Sequence, residues 1–190
     1  MSIQIRPTQS GNIAVISPYN AAFVAGARNL SGKWGSITNR DGTTTDKAWI
    51  FPGEVAADVK ALLREVYGTD GETPVETVRL RVTYDRSLDE GEALTVVVAG
   101  RQVARAFGRD SGARLGDLVV VRSGGFTSGG SRNNPYIVAR ADTVIDLLRL
   151  PRSLAERLIA EFPALTAIVN DDGSDLTTAP DNIIPFSQEG

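Results

Sequence analysis

Cysteine and histidine are both missing from this 190-residue chain. Without cysteine there is no disulfide, no thiolate nucleophile and no cysteinyl metal site. Without histidine there is no Ser–His–Asp or Cys–His pairing, no imidazole ligand, and no side chain that titrates near neutrality unaided. Catalysis would have to rest on carboxylates, lysine or tyrosine, with an oxygen-bound Mg²⁺ at most. A non-enzymatic protein with no cofactor is therefore expected. Long apolar runs are lacking too, none approaching the ~20 residues of a membrane span. The start, MSIQIRPTQ, lacks the basic-then-apolar order of a secretory signal. These absences fit a cytoplasmic protein with no membrane partner. At 42% apolar and 23% charged residues, the remainder reads as one globular domain or two small ones.

Ile3 and Ile5, then Ile13 and Val15, alternate on either side of Gly11-Asn12, which predicts a hairpin. Ser17 is the expected N-cap of a helix with Pro18 in its first turn. Phe23, Ala27 and Leu30 follow at i, i+4 and i+7, one helical face that stops near Gly32. Lys33–Ile37 and Lys47–Phe51 read as a strand pair across the polar loop Thr38–Asp46. Pro52 then opens a helix carrying Val55, Val59, Leu62, Leu63 and Val66 on one side, with Gly68 at its stop. The order is ββα twice. Neither half buries its apolar face alone, so the two should pack together over residues 1–68.

The string PYNAAFVAGARNLSGKWG, followed by KAWIFPGEVAADVKALLREVYG, resembles the small HARP domain that accompanies the motor of annealing helicases. The positions that carry the resemblance are Tyr19, Asn20, Phe23, Gly32, Trp34, Trp49, Phe51 and Tyr67. It departs from that family in a longer loop between the two Trp strands and in having no motor beside it. The resemblance implies a module that contacts DNA at branched or partly single-stranded structures, with no remodelling activity carried over. Trp34 and Trp49 read as core if covered, or as a stacking platform for an unpaired base if exposed. Lys33 and Lys47, with Arg28 and Arg40, would supply phosphate contacts nearby.

TDGETP, residues 69–74, is a polar linker with Gly and Pro. Val75–Tyr84 alternates strictly, and Leu94–Val98, Val103–Phe107, Leu118–Arg122, Tyr136–Arg140 and Thr143–Leu148 complete about six short strands. A helix over 151–162 buries Leu154, Leu158, Ile159 and Phe162. The second unit, 75–169, is thus expected to be a small, mostly antiparallel β barrel or sandwich with one C-terminal helix. The fold class as a whole is α+β. Residues 170–190 read as a tail, with NDDGSD as a solvated exit turn and Ile183, Ile184 and Phe186 as a docking or partner-binding element.

Within the second unit, residues 99–140 hold seven arginines against two aspartates and no lysine or glutamate. That stretch carries +5 in a chain of net −3, so the rest carries −8. Two glycine-dense stretches, Gly108–Gly116 and Gly124–Gly130, read as loops whose backbone N–H groups can approach an anion. Arginine adds forked donors matched to phosphate or carboxylate. Arg101, Arg105, Arg109, Arg114 and Arg132 are the expected phosphate contacts. Gly112, Gly129 and Gly130 are the expected backbone donors, and Trp34 or Phe126 the stacking surface. GRDSGARLG lacks the Lys-Ser/Thr ending of a P-loop and the strand–helix setting of a dinucleotide site. Ser111, Ser128 and Ser131 have no base to activate them. Asp110, Asp117 and Arg114 could form a carboxylate–guanidinium cluster, though their spacing does not require one.

GRDSGARLG and GGFTSGGS also resemble segments of uncharacterised proteins carried by phages, plasmids and integrated elements. That resemblance implies DNA transactions or the disarming of host defences. Two readings follow. One is an accessory protein that binds single-stranded or forked DNA through the arginine-rich surface. The other is an inhibitor, anti-CRISPR-like, whose acidic remainder occupies the basic groove of a host nuclease or defence complex.

Overall fold

The computed structural model describes residues 3–8, 10–38 and 44–170. It is a mixed α+β fold of mostly antiparallel sheets with three α-helices. Strands β1 (Gln4–Pro7) and β2 (Ile13–Ile16) form the expected hairpin, with Ile5 opposite Val15. Helix α1 (Ala21–Asn29) begins later than the sequence suggests. Asn20, not Ser17, is its cap, the side-chain Oδ1 accepting from the Phe23 N–H at 3.0 Å. The reason lies outside the helix: the Tyr67 hydroxyl donates to the Pro18 carbonyl at 2.7 Å. That bond holds the entry in place until Asn20, itself extended, supplies the cap.

Strands β3 (Lys33–Thr38) and β4 (Thr44–Phe51) complete a four-stranded sheet in the order β1-β2-β4-β3. A single 3₁₀ turn, Gly53–Val55, leads into α2 (Ala56–Tyr67). Gly68, at φ 69°, ends that helix in the left-handed conformation, its N–H on the Arg64 carbonyl. Val15 and Phe51 from the sheet, Phe23 and Ala27 from α1, and Val59, Leu63 and Tyr67 from α2 share one core. Arg40 lies outside the described residues. The connector that follows α2 is anchored rather than free. Asp70 is buried and accepts from the Glu72 and Thr73 backbone N–H groups, the Thr73 hydroxyl and Arg64.

Nine strands follow rather than six. They are β5 (Thr77–Thr83), β6 (Thr95–Val98), β7 (Arg101–Ala106), β8 (Ala113–Leu115), β9 (Val119–Ser123), β10 (Phe126–Gly130), β11 (Pro135–Ala139), β12 (Val144–Pro151) and β13 (Thr166–Val169). Helix α3 (Arg152–Glu161) precedes the last of them. The expected barrel does not close. The strands divide into sheets ordered β13-β5-β12-β9 and β6-β7-β8, plus a β10-β11 ribbon. A bulge between Leu147 and Leu150, with Arg149 at φ 50°, breaks the register of β12, and β8 is only three residues long. Leu80, Val82, Val96, Val98, Val103, Ile145 and Leu147 meet Leu154 and Ala155 of α3 in a second core.

Neither glycine stretch is a loop throughout. Gly108–Gly116 includes the paired strand β8, and Gly124–Gly130 includes β10, in which Phe126 and Ser128 face the core side with Ile137 while Thr127 and Gly129 face outward. The units touch at the end of α2. Arg157 of α3 donates to the Glu65 carbonyl at 3.1 Å, and a side chain on Gly100 would stand 2.9 Å from the Val66 carbonyl. The suggested docking residues Ile183, Ile184 and Phe186, and NDDGSD beyond Asn170, lie outside the described residues.

Candidate functional site

Alternation along β7 puts Arg105 on the outer face, and the short β8 brings Arg114 directly opposite it. Like charges so placed repel. Both guanidinium groups instead lie over the ring of Phe107, 5.1 and 4.8 Å from its centroid. Phe107 follows the end of β7 and is 56% exposed. The negative face of the ring offsets part of each cation's charge without using its N–H donors. Among the described residues, neither arginine forms an ion pair or a side-chain hydrogen bond. Two donor forks and an apolar ring therefore face solvent together.

The other expected arginines sit differently. Arg101 is half-buried and donates to the Leu148 and Arg149 carbonyls, bracing β7 against the bulge in β12. Burial holds its guanidinium below the usual arginine range. Arg109 is exposed but paired with its neighbour Asp110 at 2.9 Å, which offsets its charge locally. Its carbonyl accepts from the Ser128 hydroxyl at 2.8 Å, fastening the loop to β10. Arg122 pairs with Asp146 at 2.7 Å. Arg132 is exposed in the turn between β10 and β11.

Gly112, at φ 71°, faces open space. Gly129 and Gly130 are strand residues beneath the Tyr136 ring, so they form a floor and not an open N–H cradle. Phe126 is half-buried and meets Tyr84 edge-on at 5.3 Å, part of the core. Trp34 lies on the edge strand β3 at 55% exposure, its ring 5.8 Å from the half-buried Trp49. Lys47 shares the face of Trp34, whereas Lys33, one residue earlier, points to the other face; both are exposed. Trp34 with Lys47 thus forms a smaller patch on the first unit's sheet.

No family model, curated protein or solved structure matches the chain. Chemistry alone has to identify the site. Among the described residues no three acidic or metal-ligating side chains are grouped to hold a metal ion. Asp110 is taken up by Arg109. Among the described residues no helix is long and apolar enough to cross a membrane. Phe107, Tyr136 and Arg140 were not singled out from sequence. Their signal in the sequence is period-2 alternation, Arg105–Phe107 and Tyr136–Val138–Arg140.

Proposed function

We propose that this protein binds nucleic acid without acting on it chemically, contacting single-stranded or branched DNA through Arg105, Arg114 and Phe107. One observation carries the reading: two guanidinium groups without carboxylate partners flank one exposed aromatic ring. Forked donors suit phosphate oxygens, and the ring between them holds both forks at the surface without using their N–H groups. The resemblance of residues 1–68 to a ββαββα HARP domain supports the same partner, with Trp34 and Lys47 as a second contact.

Fluorescence anisotropy on labelled single-stranded, duplex and forked DNA over a salt series tests this. At about −0.7 per phosphate contact on a single strand, Arg105 and Arg114 together contribute about −1.4 to the log–log salt slope. Arg105→Glu with Arg114→Glu should abolish binding at micromolar protein while the fold persists. A flat salt response, or unchanged affinity in the double variant, overturns the proposal.

A further inference from the structure

The β10–β11 ribbon has two unlike faces. Phe126 and Ile137 pack inward against the core. Outward, Tyr136 stands opposite Gly129 and Val138 opposite Thr127, and Arg140 continues the row two residues on. Tyr136 is 45% and Val138 37% exposed, large apolar groups that the described residues leave open to solvent. The glycines explain how the ring sits. A Cβ on Gly129 would lie 3.2 Å from both Tyr136 and Val138, and one on Gly130 would lie 2.8 Å from Tyr136 Cδ1. The ring therefore folds over bare backbone, in space that any other residue would fill. Arg132 sits at the turn end of the ribbon and Arg140 at the other, about 16 Å of strand apart. Both are exposed, and among the described residues neither has an ion pair or a side-chain hydrogen bond.

We propose that this outer face is a platform for the unpaired bases of a single strand, with Tyr136 stacking on a base and Arg132 and Arg140 taking flanking phosphates. The inference rests on the nucleic-acid reading above and deepens it. Charge complementarity selects a polyanion, and the exposed ring selects one whose bases have a free face. In a duplex those faces are already stacked on one another. The platform thus makes the protein discriminate between strands that the Arg105–Arg114 pair, reading phosphate, would hold alike.

The test uses three probes of equal length: oligothymidine, an abasic phosphodeoxyribose strand and a blunt duplex. The wild-type chain should bind oligothymidine about 5- to 150-fold more tightly than the abasic strand. Tyr136→Ala should lower that ratio by about 5-fold or more and leave abasic-strand affinity unchanged, while Tyr136→Phe retains it. Far-UV circular dichroism should not move, and Tm should fall by no more than about 4 °C, because the ring packs only on strand backbone at the surface. Equal, salt-dependent affinity of the wild type for both single strands would overturn the platform and leave the nucleic-acid reading standing. A base preference undiminished in Tyr136→Ala would also overturn it. Failure to bind any probe would sink both.

Discussion

Arg105 and Arg114 are directly opposed across β7 and β8, and both rest on Phe107 instead of on a carboxylate. Cross-strand pairs of like charge are unfavourable, and opposite charges contribute about 0.2–1 kcal/mol there. Arg114→Glu should therefore stabilise the fold, raising Tm by a few degrees at low salt, while weakening DNA binding. Stability and affinity moving in opposite directions would mark the pair as a binding device. Thermal melts and anisotropy on the same variant check both limbs.

Arg101 separates framework from interface. Its donors are spent on the Leu148 and Arg149 carbonyls at the β12 bulge. Arg101→Ala should lower stability by roughly 1–3 kcal/mol, the cost of stranding buried acceptors. The salt slope of DNA binding should not change. A reduced slope with an unchanged Tm would assign this guanidinium to phosphate contact.

Asp146 predicts acid sensitivity. Its carboxylate is fully buried on β12, 2.9 Å from Arg81 and 2.7 Å from Arg122. Burial pushes its pKa up, but hydrogen bonds and charge from the two arginines outweigh that and hold it below the usual range. The ionised form is thus favoured in the folded state. The stability it confers is complete above the unfolded aspartate pKa of about 3.9 and is lost as pH falls below it. Asp70 acts in the same direction, chiefly through the Thr73 N–H. Asp146→Ala should cost roughly 3 kcal/mol at neutral pH and shallow the acid limb of a Tm–pH profile.

Tyr67 sets the alkaline side. Burial raises its hydroxyl to about 12, opposed in part by a hydrogen bond with Ser17. A raised folded pKa means that stability is complete below about 10, the unfolded value, and declines as pH rises through 12. Tyr67→Phe should remove that decline and cost about 1 kcal/mol at neutral pH through loss of the bond to Pro18. Alkaline denaturation followed by circular dichroism reads both effects.

Much of the first unit's layout was legible in sequence. Alternation around Gly11 predicts the β1–β2 hairpin, and Gly68 marks the end of α2 where only a left-handed residue closes the helix. The cap of α1 is not legible locally, because Ser17 and Asn20 are equally good cap residues. A hydroxyl some fifty positions away decides which of them can serve. The glycines of β10 were misread for a related reason. Glycine signals a loop until a Tyr on the neighbouring strand needs the space that glycine leaves.

The sequence by itself determined which chemistries this protein lacks, through its missing histidine and cysteine. It also concentrated arginine between residues 99 and 140. Only the tertiary structure decided which of those charges remain available. Compensation of charge and occupation of donors depend on distances through space: strand pairing brings Asp146 to Arg122, and the packing of one sheet on another brings the Leu148 carbonyl to Arg101, across gaps of chain that local pattern does not encode. What survives that sorting, among the described residues, is Arg105 and Arg114 on one ring, with Arg132 and Arg140 toward the two ends of the β10–β11 ribbon.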